Sequence, residues 1–105
     1  MTTETTLLQR VEIDKLNNAS TMLRVIAQPI RLAIVDVLHQ NGRLTVTQIQ
    51  EKVGLEQAIA SQQLTLMQDK GVLSSEKVGR NRFFFLRHPN MIKIVFCLED
   101  CCSTF

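Results

Sequence analysis

The sequence predicts a mainly α-helical fold carrying one small β-hairpin (α+β), and three observations support it. Residues 55–70 set Ile59, Ala60, Leu64 and Met67 on one stripe at helical spacing, with Gly71 as the stop and Leu73 beyond it. The stretch before it, Leu44-Thr-Val-Thr-Gln-Ile-Gln-Glu-Lys-Val-Gly54, is a short amphipathic helix with Val46, Ile49 and Val53 on one side. Thr45 or Thr47 is available to cap it, and Gly54 ends it. After Gly71 the period changes to two. Val72–Val78 and Arg82–Arg87 are strand-like runs around Gly79-Arg-Asn81, whose glycine and asparagine suit a hairpin turn.

Two helices joined by a tight Gly-containing turn, then a hairpin, make a winged helix-turn-helix. The flanks complete one domain over residues 1–105. Residues 6–26 form an N-terminal helical segment bearing Leu7, Leu8 and Val11, with a break expected at Asn17-Asn18-Ala19-Ser20 and Ser20 as its cap. Pro29 fits the first turn of the next helix, which runs to about His39 and ends at Asn41-Gly42. Pro89 opens a last helix, Asn90–Cys102, whose Met91-Ile-Lys-Ile-Val-Phe-Cys-Leu98 is apolar on nearly every side. Such a helix needs cover on more than one face, and a chain of 105 residues has too small a core to supply it. A second copy is therefore expected on residues 6–26 and 89–102, with Leu7, Leu8, Val11, Met91, Ile94, Val95 and Leu98 at a homodimer interface. Residues 29–87 are left as the nucleic-acid-binding core.

The exposed positions of the 55–70 helix are Gln57, Ser61, Gln62, Gln63 and Thr65 rather than a Lys/Glu mixture. Amides and hydroxyls both donate and accept, which suits base edges and phosphates. Alone, such a face is equally a solvated one. The hairpin weighs against that: Lys70, Lys77, Arg80, Arg82 and Arg87 face only Asp69 and Glu76 in or beside the same stretch. A basic hairpin beside a polar helix is an electrostatic footprint for phosphates, although single strand-edge charges also discourage aggregation. Gln57, Ser61, Gln62, Gln63, Thr65, Lys77, Arg80 and Arg82 are the candidate contacts to double-stranded DNA. The competing reading, a winged helix used only for protein contacts, would call for an apolar or acidic face there.

These motifs resemble the ArsR/SmtB-type winged-helix repressors. Ala27-Gln-Pro-Ile-Arg-Leu is similar to the family's Pro-x-Arg-Leu helix start. Ser61-Gln-Gln-Leu-Thr-Leu-Met-Gln-Asp-Lys-Gly-Val-Leu73 is similar to its Ser-x-His-Leu recognition segment, and Gly79-Arg-Asn-Arg-Phe-Phe-Phe-Leu86 to its wing. Gln63 replaces the usual His, Thr65 a frequent Lys, and Phe84–Phe85 the usual Tyr; Glu56 stands where a Ser commonly caps. The resemblance implies a dimer through the first and last helices, binding to an imperfect inverted repeat, repression of transcription, and release by an effector. The family's metal-ligand patterns are mostly missing: no Cys lies between Leu44 and Gln50, and no His lies in Asn90–Cys102.

The three cysteines, Cys97, Cys101 and Cys102, all lie at the end of the chain. On a helix Cys97 and Cys101 are about 40° apart around the axis and Cys102 roughly 140° from Cys97. They bind one soft metal ion or metalloid only if the last turn frays or a second subunit contributes. Inert packing and a redox pair are the other readings, and no cofactor is required. His39 and His88 have no partner at ligand spacing. Catalysis is not expected, since no nucleophile set, phosphate-cradling loop or carboxylate pair stands out. With no run of 18 apolar residues and a Met1–Thr6 start unlike a signal peptide, a cytoplasmic protein off the membrane is expected.

Overall fold

The structure is a computed structural model in which residues 5–105 are described; the first four residues of the Met1–Thr6 start lie outside them. In chain order the elements are α1 (Leu7–Arg10), α2 (Ile13–Ile26), α3 (Pro29–Asn41), β1 (Leu44–Thr45), α4 (Val46–Val53), α5 (Gln57–Asp69), β2 (Leu73–Val78), β3 (Asn81–Leu86), a 3-10 turn (Pro89–Met91) and α6 (Ile92–Cys102). The chain is mainly helical, with a small antiparallel sheet ordered β1-β3-β2.

The core gathers Ile34, Val35 and Leu38 of α3, Ile49 of α4, Leu64 and Met67 of α5, Val72 and Leu73 at the start of the hairpin, and Val95 of α6. Every helix of the central module lends its apolar stripe to this one cluster. That burial fixes how α4, α5 and the hairpin sit together.

Four local expectations are corrected. The N-terminal helix does not break at Asn17–Ser20: α2 runs unbroken to Ile26, and the interruption falls at Val11–Glu12. Asn17, Asn18 and Ser20 are exposed, and the Thr21 hydroxyl donates to the Asn17 carbonyl within the helix. Their side chains therefore offer the backbone no competing turn. A strand precedes α4 that no sequence pattern announces. Leu44–Thr45 is only two residues, too short for a period, and it exists because Leu44 lies opposite Phe84 and Thr45 opposite Phe83. Ile59 is 39% exposed rather than part of the buried stripe, because Ala60 takes the inward position at that turn. Finally, Pro89–Met91 is a 3-10 turn, so α6 proper starts at Ile92.

The expected interface residues divide. Met91 and Val95 are buried in their own protomer and belong to its core. Leu7, Leu8 and Leu98 are exposed, and Val11 and Ile94 are half-buried. Phe96, Ile13 and Leu23 join the exposed set. Among the described residues no helix is long and apolar enough to cross a membrane.

Candidate nucleic-acid interface

Local chemistry builds the two-helix unit. The Thr45 hydroxyl accepts from the Gln48 amide nitrogen at 3.3 Å, while the Gln48 side-chain oxygen accepts from the Thr45 N–H at 2.9 Å. This reciprocal box starts α4 and identifies Thr45, not Thr47, as the cap. At the other end Gly54 is left-handed (φ 80°, ψ 44°), and its N–H and that of Leu55 both donate to the Gln50 carbonyl. An L side chain is disfavoured at that φ, so glycine sets the angle at which α5 leaves.

Helix α5 turns Ala60, Leu64 and Met67 inward. On its outer side Ala58, Ser61, Gln62, Thr65, Leu66 and Asp69 line one open groove. Three predicted contacts, Ser61, Gln62 and Thr65, thus share a face, and Gln57 is exposed one turn before Ser61. Asp69 closes the groove at its C-terminal end, so an approaching polyanion is favoured at the N-terminal half.

Gln63 is placed differently. Its side-chain oxygen accepts from Arg31 Nε at 2.7 Å, and Arg31 also donates to the Val25 carbonyl at 3.0 Å. A half-buried guanidinium therefore ties the end of α2 to the middle of α5. In the sequence Arg31 stands only within a helix start; its partner lies 32 positions away, beyond local pattern.

The hairpin separates charges that the sequence places in one cluster. Lys77 lies opposite Arg82 and Val78 opposite Asn81, so Lys77, Arg80 and Arg82 crowd the tip. Leu73 lies opposite Leu86 at the open end, where Lys70 and Arg87 flank the strands. Strands of six residues put roughly 17–20 Å between tip and root. Arg82 donates to the Ser75 hydroxyl at 2.9 Å, which holds its guanidinium along the hairpin. A further cation, which no sequence motif singles out, braces the wing: Arg43 pairs with Glu76 at 3.3 Å and lies 5.3 Å from the centre of the Phe85 ring.

Cys97, Cys101 and Cys102 are free and exposed, Cys97 in the middle of α6 and the other two in its last turn. Among the described residues no group of three His, Cys, Asp or Glu side chains is arranged to hold a metal ion. His39 ends α3 edge-on to Phe96, centroids 5.6 Å apart, and His88 lies in the loop after β3.

Residues 28–75 match the sequence profile of the bacterial regulatory proteins of the arsR family. The transcriptional repressor PagR of Bacillus anthracis is 31% identical over 90 residues, covering 86% of this chain and 90% of that protein. Its crystal structure matches with a TM-score of 0.75 over 83% of this chain and 99% of that one. The HTH-type transcriptional regulator NmtR of Mycobacterium tuberculosis is 34% identical over 77 residues, 73% of this chain and 62% of that protein. A homodimeric winged helix-turn-helix DNA-binding domain from Mycobacterium bovis shares only 17% identity but the same fold, with a TM-score of 0.71 over 98% of this chain and 91% of that one. A capped α4, a glycine-set turn, a polar α5 and a basic-tipped hairpin thus coincide with a profile match and a full-length relative, and the chain belongs to the arsR family.

Proposed function

We propose that this protein is a homodimeric transcriptional repressor that binds an imperfect inverted repeat in duplex DNA, one α5 helix per major groove. The observation that carries the reading is the shared outer face of Ser61, Gln62 and Thr65 in a chain whose hairpin tip carries Lys77, Arg80 and Arg82. Amides and hydroxyls supply base-edge and phosphate contacts, and the tip arginines supply phosphate or minor-groove contact. Gln57 joins the reading face; Gln63 is assigned to bracing through Arg31. An apolar or acidic α5 face, which a purely protein-binding winged helix would need, is not what these residues make. No reaction is assigned to the protein.

The dimer forms through the exposed apolar residues of α1, α2 and α6. One copy leaves Leu7, Leu8, Ile13, Leu23, Phe96 and Leu98 exposed, and its radius of gyration of 15.9 Å, against about 13 Å for a compact chain of this length, marks an extended shape. Selection of bound sequences from random duplex DNA tests the function. Enrichment of a two-fold repeat with half-site centres about one helical turn apart supports it. Binding with no enriched sequence, or none at low salt, overturns it.

A second reading concerns release. The exposure of all three thiols on α6 favours an inducer that is a thiophilic metal, a metalloid or an oxidant acting there, with the second subunit completing any ligand set. The triple variant Cys97→Ser, Cys101→Ser, Cys102→Ser tests it. Wild type losing operator on treatment with arsenite, zinc or peroxide while the variant does not supports the reading; equal responses, or none, overturn it.

A further inference from the structure

The basic residues at the hairpin root are not accounted for by the DNA-facing surface. Lys70 and Arg87 sit at the opposite end of the wing from Arg80. They line, with Lys15, Asn18 and Thr21 of α2 and with His88, a cleft of about 440 Å³. No carboxylate lines it, and among the described residues neither Lys15, Lys70 nor Arg87 forms an ion pair. Three cations and a histidine from three separate segments therefore line one concavity. Lys15, Lys70 and Arg87 are exposed, so water screens their mutual repulsion, and what marks the concavity is a wall shared by three cations with no carboxylate on it. Its volume falls within the about 300–1,000 Å³ of small-molecule sites.

We propose that this cleft is a binding site for a small phosphorylated metabolite. A phosphate group offers several charged oxygens in different directions, which fits one guanidinium and two ammonium groups arriving from different walls. The Asn18 amide is a further donor. The Thr21 hydroxyl already donates to the Asn17 carbonyl and keeps only acceptor capacity, which suits a ligand hydroxyl rather than the anion. Ala19 and Met22 form part of the wall and give the ligand's neutral body an apolar surface beside the cations. The bound molecule would bridge α2 to the wing root. Its effect on the subunit interface rests on the dimer proposed above; the binding itself does not.

Calorimetric titration of the full chain with pyrophosphate, at low salt and without DNA, tests the site. Expected is saturable binding of one pyrophosphate per chain. The Lys70→Gln, Arg87→Gln double variant should weaken it about tenfold or more, since it removes two charge-assisted hydrogen bonds to the anion. Asn18→Asp, an exposed change that puts a carboxylate into the cleft and leaves every cation in place, should abolish it. Arg80→Gln at the tip should leave it unchanged. No saturable binding, or an equal loss in Arg80→Gln and the root double variant, overturns the proposal. A second arm separates a free phosphate from a DNA phosphate. The root double variant should keep the wild-type salt dependence of DNA binding; a slope reduced as much as by Arg82→Ala would make the root a backbone contact and overturn the metabolite site.

Discussion

Gln62 and Gln63 are neighbours with the same side chain and opposite assignments. Gln62 is exposed in the outer groove of α5, while Gln63 reaches back to Arg31. Gln62→Ala should cost roughly 1–3 kcal/mol of operator affinity and relax base preference at one position per half-site, with the salt dependence unchanged. Competition against single-base operator variants reads this directly. Gln63→Leu should leave the preference intact and instead lower stability by about 1–3 kcal/mol, because the half-buried Arg31 loses an acceptor. Gln63→Glu keeps the acceptor and should retain wild-type stability in urea unfolding. If Gln63→Leu altered base preference at normal stability, the bracing assignment would fail. Nothing in the local sequence separates these two residues; helical phase puts them about 100° apart, and only the position of α3 decides which side is inside.

At the level of elements, the wing is a basic tip on a braced stem. Arg82→Ala should weaken binding to all sequences alike and lower the salt slope by about one unit for each phosphate no longer neutralised, measured by anisotropy across a salt series. A changed preference in place of a changed slope would reverse the roles given to helix and wing. For α4 the box matters more than composition: Thr45→Ala should cost about 1 kcal/mol, whereas Thr47→Ala, exposed inside the helix, should stay within about 0.5 kcal/mol. Thermal melts of both variants check it. These elements were legible from sequence because each carries its own punctuation: Thr45, Gly54, Gly71, Gly79 and Pro29 all act within a few residues of where they stand. The N-terminal helix misled for the complementary reason. Asn17, Asn18 and Ser20 are break signals only when their side chains turn to the backbone, and here they stay in solvent.

For the whole molecule the decisive residues lie along α6. Ile94 is half-buried beside the apolar groove under α2, and Leu98 is exposed; Val95 points into the protomer's own core. Leu98→Glu should release folded monomers that bind operator poorly. Val95→Glu should instead unfold the protomer, because it buries an unpaired charge. Sedimentation together with circular dichroism distinguishes the two. A Leu98→Glu protein that stays dimeric at micromolar concentration would remove this residue from the interface.

The sequence by itself determined the helix-turn-helix pair, the hairpin and the polar character of α5. Each rests on a short-range period or a turn residue, and such signals survive any tertiary arrangement. Only the tertiary structure decided three things. It added β1, a two-residue strand that exists through pairing with β3. It divided the apolar residues of α6 between the protomer's core and its open face, since a helix apolar all round carries no phase of its own. And it drew the single run of basic residues from Lys70 to Arg87 out into a tip and a root, because antiparallel pairing brings the two ends of that run together and sends its middle to the far end of the wing.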